Sequence, residues 1–230
     1  MHWIFKMSYI KRHIDKELEK WAASKSRKPL LLRGARQVGK SSSVRKLSEK
    51  FDFFLEINFE KDNKVRELFE TADSLEPQAL CRKLSLIKET PIIPGKTLLF
   101  FDEIQGCLPA ISSLRFFYED YPALHVIAAG SLLEFALEEL PSFGVGRIRS
   151  LFMYPFSFPE FLAACTNGML LEAIEKASPD SPLDEIVHRK VLDYLRTFLI
   201  IGGMPEVVAA YTGEKDLYKC HLRHRSAAWR

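Results

Sequence analysis

Short apolar runs alternate along this chain with longer stretches whose apolar residues recur every three or four positions. The runs cover residues 29–33, 53–59, 97–101, 124–129 and 149–154, and each reads as a strand. Those at 29–33, 97–101 and 124–129 are continuous enough to belong to strands covered on both faces. Helical periodicity falls between them, over residues 41–51, 63–89 with a break near Pro77, 110–118 and 132–140. An amphipathic helix over 8–23 precedes the first strand, with Ile10, Ile14, Leu18 and Trp21 at spacings of four and three. Helices over 157–166, 184–200 and 205–211 follow the last strand. Strands alternating with helices predict βαβ units and a parallel sheet flanked on both sides, a three-layer α/β fold followed by a small helical lid. The expected divisions are an N-terminal helix and linker (1–28), a core (29–155), the lid (156–212) and an irregular basic tail (213–230).

Composition narrows the class without deciding it. With 230 residues, 47% of them hydrophobic and 27% charged, the chain is ordinary globular material, which excludes collagen-like, low-complexity and disordered acidic classes. The net charge of +3 is unevenly spread. Residues 1–28 hold eight Lys and Arg against three acids, residues 219–230 hold four against none, and the stretch between is net acidic. Any electrostatic case for nucleic acid therefore rests on the two ends. The four cysteines have no zinc-like spacing and read as reduced, buried thiols. No apolar run approaches the ~18–20 residues of a membrane span, and the N-terminus lacks a secretory apolar stretch. The expectation is a cytoplasmic protein with no membrane partner.

The chemistry begins at Gly34-Ala35-Arg36-Gln37-Val38-Gly39-Lys40-Ser41, a phosphate loop of the form G-x-x-x-x-G-K-[ST]. It stands where such a loop must, between a buried strand and a helix. The glycines let backbone N–H groups turn inward around phosphate, and the helix N-terminus adds its dipole. Residues Gly34, Ala35, Arg36, Gln37, Val38, Gly39, Lys40, Ser41 and Ser42 are the expected nucleotide-binding set. Lys40 would reach the β and γ phosphates, and Ser41 would ligate Mg²⁺.

The strand at 97–101 runs into Asp102 and Glu103. Carboxyl ends of parallel strands are where ligands bind. Asp102 there can hold Mg²⁺ with Ser41, and Glu103 can polarise an attacking water. Loop and acid pair together point to hydrolysis. The strand at 53–59 is compatible with folds in which an additional strand separates the loop strand from the acid strand. Asn58 and Glu60 at its end are candidates to face the site. Ser131, after the strand at 124–129, can sense the γ-phosphate or cap the next helix. Arg147, in the glycine-flanked loop before Arg149, can stabilise phosphoryl charge in cis or from a neighbouring copy. Gly202-Gly203-Met204-Pro205-Glu206 marks a helix–helix corner.

These residues together resemble a widespread prokaryotic AAA-type (AAA+ superfamily) P-loop ATPase family. The matching strings are Tyr9 to Asp15, Leu31 to Lys40, Phe101-Asp102-Glu103-Ile104-Gln105, Ala129-Gly130-Ser131, Gly146-Arg147, Pro155 to Phe161 and the Gly202–Glu206 corner, in order. The resemblance implies ATP and Mg²⁺ as cofactors, the phosphate loop at 34–41, the metal acid at Asp102, the base at Glu103, a sensor at Ser131 and an arginine role for Arg147. It also implies a second C-terminal domain, which residues 220–230 do not resemble; a truncated or frameshifted reading frame would account for that ending. Two readings follow. One is an AAA+-type ATPase, and the other a nucleotide-gated module that binds DNA or protein with little turnover. A homo-oligomer is left open in both.

Overall fold

The computed structural model describes residues 9–71, 75–131, 133 and 146–214. The predicted helix at 132–140, apart from Leu133, and most of the tail from 213 lie outside them. The chain forms two compact units, Ile14–Met153 and a second made of Met1–His13 with Tyr154–Arg230.

The first unit is a three-layer α/β fold. Its elements are α1 (His13–Ala23, from Ile14 on), β1 (Leu30–Arg33), α2 (Lys40–Ser48), β2 (Phe53–Asn58), α3 (Asn63–Glu70), α4 (Pro77–Lys88), β3 (Thr97–Asp102), a 3₁₀ turn (Ile104–Gly106), α5 (Leu108–Asp120), β4 (His125–Ala129) and β5 (Arg149–Phe152). The five strands are parallel, in the order β2-β3-β4-β1-β5. Alternate residues of each central strand serve opposite layers. Leu98, Phe100, Ile127, Ala129, Leu30 and Leu32 pack with Leu18 and Trp21 of α1 and Val44 and Leu47 of α2. Leu99, Phe101, Val126, Ala128 and Leu31 face Val65 and Phe69 of α3, Leu84 of α4 and Leu114 of α5. Both faces are covered, so these strands show no polar alternate. The break near Pro77 is a helix start: Glu76 caps α4 by accepting hydrogen bonds from the Gln78 and Ala79 amides, with Pro77 at the first position.

The additional strand is β4. It lies between β1 and β3, while β2 forms an edge. Register aligns Asn58 with Asp102, Phe101 with Ala128, and Leu32 with Ala129. The carboxyl ends of β2, β3, β4 and β1 thus meet along one edge of the sheet. Burial pushes the thiol of Cys81 up to about 12 and that of Cys107 up to about 11, so both stay protonated at neutral pH.

The second unit contains α6 (Phe158–Thr166), α7 (Met169–Lys176), α8 (Glu185–Ile201) and α9 (Pro205–Glu214). The sequence pattern misses α7, and the reason is physical. At eight residues the helix is shorter than the ~11-residue window over which a helical period shows, and its Leu170, Leu171 and Ile174 are only half-buried. The unit's core is Phe156, Phe161, Ile201, Val207 and Val208, with Ile10 and the rings of Tyr194, Phe198 and Tyr211 against it. Arg12 is buried beside it. Its Nε donates to Glu160 Oε1 at 3.1 Å, a second nitrogen donates to the Tyr154 carbonyl at 2.8 Å, and its guanidinium lies 3.9 Å over the Phe156 ring. Glu160 also accepts from the His13 and Ser157 amides and completes a capping box at the start of α6. Burial alone would raise its carboxyl, but these donors and Arg12 outweigh it and leave it below the usual range.

Candidate functional site

The loop after β1 is held in a shape that only part of its sequence could adopt freely. Gly34 has φ 144°, and a methyl there would overlap the Met153 carbonyl oxygen. Gly39 has φ 98° and opens α2. Between them Gln37 takes the left-handed region at φ 63°, uncommon for a residue with a side chain. Non-glycine residues in this region tend to cluster at ligand-binding loops. Val38 is fully buried and anchors the loop in the layer that α1 and α2 share.

Lys40, the first residue of α2, is buried except for a small exposed fraction. Its Nζ donates to the carbonyls of Gly34 and Ala35, each at 2.8 Å, so the ammonium spans its own loop. Burial lowers its pKa, and the nearby Glu103 and Asp102 carboxylates oppose that. Ser41 donates its hydroxyl to Asp102 Oδ2 at 2.9 Å. That bond joins residues that are far apart in sequence, and it brings the loop to the acid strand. Asn58 Nδ2 approaches the same oxygen at 3.5 Å, and the Glu103 amide donates to Oδ1 at 3.1 Å. Burial raises the Asp102 carboxyl, and the Ser41 hydroxyl partly offsets it. Ser42 is exposed in the first turn of α2.

Glu103 leaves β3 with φ 49°, a second left-handed residue at this edge. Ser131 is buried at the end of β4, and Arg36 of the loop donates to its Oγ at 3.4 Å. Arg36 also lies 3.9 Å from Glu60, at the end of β2. The structure therefore gathers Arg36, Lys40, Ser41, Asn58, Glu60, Asp102, Glu103 and Ser131 at one strand edge.

Arg147 is not among them. It precedes β5, whose first residue Arg149 registers with Leu30 at the start of β1, on the opposite edge of the sheet. There Arg147 pairs with Glu119 near the end of α5, and Arg149 with Glu17 of α1 at 3.1 Å. An action of Arg147 on nucleotide within its own chain does not fit this placement. Gln105, which has no motif signal of its own, also belongs to this edge, where its amide contacts Glu103.

The donor set of Ser41 and Asp102 is a hydroxyl and a carboxylate, hard oxygens suited to a small divalent cation. Among the described residues no group of three or more His, Cys, Asp or Glu is placed to hold a metal ion. Any cation here needs phosphate and water oxygens to complete its shell, which is how Mg²⁺ is usually bound.

A glycine-lined loop between a buried strand and a helix, facing an acid pair on the strand beyond the intervening β4, defines a P-loop nucleotide-binding protein. The family model for the AAA domain matches residues 26–162, and the chain belongs to that family. Among solved structures it is similar to the Walker-type ATPase PABY2304 of Pyrococcus abyssi, with TM-score 0.59, 18% identity, and 96% of this chain and 72% of that chain covered. PCH-2 of C. elegans aligns with TM-score 0.48 and 13% identity over 91% of this chain and 66% of that one. The first likeness supports the fold. No curated protein matches. Among the described residues no helix is long and apolar enough to cross a membrane.

Proposed function

We propose that this chain binds ATP at residues 34–42 and hydrolyses it with Mg²⁺ to ADP and phosphate. The observation that carries the reading is the 2.9 Å bond from Ser41 to Asp102, with Glu103 the next residue. Ser41 and Asp102 are the residues that would hold the cation, which when bound offsets charge on the β and γ phosphate oxygens.

The loop amides donate to the phosphates, and Lys40 gives up its bonds to the Gly34 and Ala35 carbonyls to donate to β and γ oxygens. Glu103 accepts a proton from the attacking water. The water oxygen bonds to the γ-phosphorus, and the bond to the bridging oxygen breaks, leaving its electron pair on ADP. Ser131, bonded to Arg36, is the sensor in this scheme. A role for Arg147 requires a second copy of the chain.

Steady-state ATPase assays with two variants test this. Lys40→Ala is expected to weaken ATP binding at least about tenfold, the equivalent of one lost ionic hydrogen bond. Glu103→Gln is expected to bind ATP as the parent does and to lose about 10²–10⁴-fold in kcat. Parental turnover in Glu103→Gln would remove Glu103 as the base.

A further inference from the structure

Gln105 sits in the 3₁₀ turn that follows Glu103. Its Nε2 donates to Glu103 Oε2 at 2.7 Å and reaches Glu60 Oε1 at 3.5 Å. Ionised carboxylate oxygens only accept, so the amide must present nitrogen to them and Oε1 to the other side. On that side lies Gly130. A methyl at Gly130 would overlap Gln105 Oε1. The oxygen is buried and has no hydrogen-bond partner among the described residues. A buried acceptor left unsatisfied opposes folding. An orphan of that kind calls for an explanation at the other end of the side chain, and that end holds Glu103.

The contacts continue past Gly130. The next residue, Ser131, accepts from Arg36 of the phosphate loop, and Arg36 faces Glu60, which Gln105 also reaches. Loop, β4 end and acid strand are thus joined in a closed circuit, with Gln105 as the member that touches Glu103.

We propose that Gln105 is a positioning residue: wedged against Gly130, it fixes the Glu103 carboxylate and ties its orientation to the end of β4 and the phosphate loop. The inference rests on Glu103 acting in the hydrolysis proposed above. Gln105 touches neither water nor nucleotide in that scheme, so its effect falls on turnover and spares binding.

The test uses the full chain, with single-turnover and steady-state ATP hydrolysis alongside titration of a fluorescent ATP analogue. Gln105→Ala is expected to lower kcat about 10–100-fold, the cost of a misplaced catalytic group. KM and analogue affinity stay within about threefold. Gln105→Glu, equal in size but unable to donate when ionised, is expected to lose turnover to a similar degree. Gly130→Ala loses turnover because its methyl displaces Oε1. Added to Gln105→Ala, it costs no more than about a further twofold, because the two changes break one contact.

Parental kcat in both Gln105 variants overturns the proposal, as do losses from Gln105→Ala and Gly130→Ala that multiply. Thermal melts establish that each variant is folded, and the same-size Gln105→Glu decides the matter if Gly130→Ala is not. Glu103→Gln separates the two levels. If it hydrolyses ATP like the parent, the hydrolysis reading fails and Gln105 with it. If it loses turnover while the Gln105 variants keep theirs, only Gln105 is removed.

Discussion

The most exposed dependency at the scale of single residues is the buried pair Arg12 and Glu160, at 5% and 7% side-chain exposure. Removing one member leaves the other charged and without its counter-ion in the core. Arg12→Ala is therefore expected to destabilise the chain by about 3–5 kcal/mol, read as a lowered urea midpoint. Adding Glu160→Gln should recover part of the loss. Neither residue was singled out by pattern, because a pair so distant in sequence leaves no local signature. Gln105 escaped for the same reason, its significance lying in contact with Gly130, just past the end of β4. The phosphate loop and Asp102-Glu103 were legible because their chemistry is local, set by a strand end and the residues next to it. The place of Arg147 was not, since a basic loop before a strand reads alike at either edge of the sheet.

Among the elements, β3 and β5 mark the two extremes. Every residue of β3 is buried, whereas β5 runs along an edge and is mostly exposed. Phe101 of β3 meets the rings of Phe59, Phe69 and Phe117 at 5.6, 5.7 and 6.1 Å. Phe152 of β5 is 48% exposed and lies under the Arg33 guanidinium. Phe101→Ala is expected to cost about 3–5 kcal/mol, and Phe152→Ala about 1 kcal/mol or less, both measured by chemical denaturation. The same contrast explains which elements pattern could find. The strands of the sheet interior carry continuous apolar runs because helices cover both faces. Helix α7, eight residues long with none fully buried, is too short for its period to show. Strand order depends on pairing between distant segments, so only the structure reveals β4 as the one that separates loop from acid pair.

Over the whole molecule, the two units respond differently to acid. In the sheet unit, burial lowers the pKa of His125, whose ring meets Trp21 and Phe51 edge-on and whose Nδ1 is buried with no hydrogen-bond partner among the described residues. A base held neutral in the fold contributes stability above its unfolded value of about 6.5, and that contribution is lost as pH falls toward the folded value. In the second unit the lowered Glu160 carboxyl contributes above the ordinary carboxylate range and fails only at lower pH. Urea midpoints are expected to begin falling below about pH 6.5, and His125→Gln should flatten that first decline while leaving the later one.

The basic N-terminal stretch also reads differently once its partners are known. Arg12 is consumed by Glu160, Lys20 pairs with Glu17, and Arg27 donates to the Ser24 and Ala123 carbonyls. Those charges serve the fold first, which weakens the electrostatic case for nucleic acid.

The helical unit is drawn from two separated pieces of chain, the residues up to His13 and those from Tyr154 on. A ribosome makes Arg12 early and Glu160 only after the sheet unit is finished, and units made first tend to fold first. For this segment the order of synthesis and the order of docking are therefore opposite. The ion pair closes only on a chain that has been extended past Glu160, and no single cut releases the helical unit with its arginine still attached.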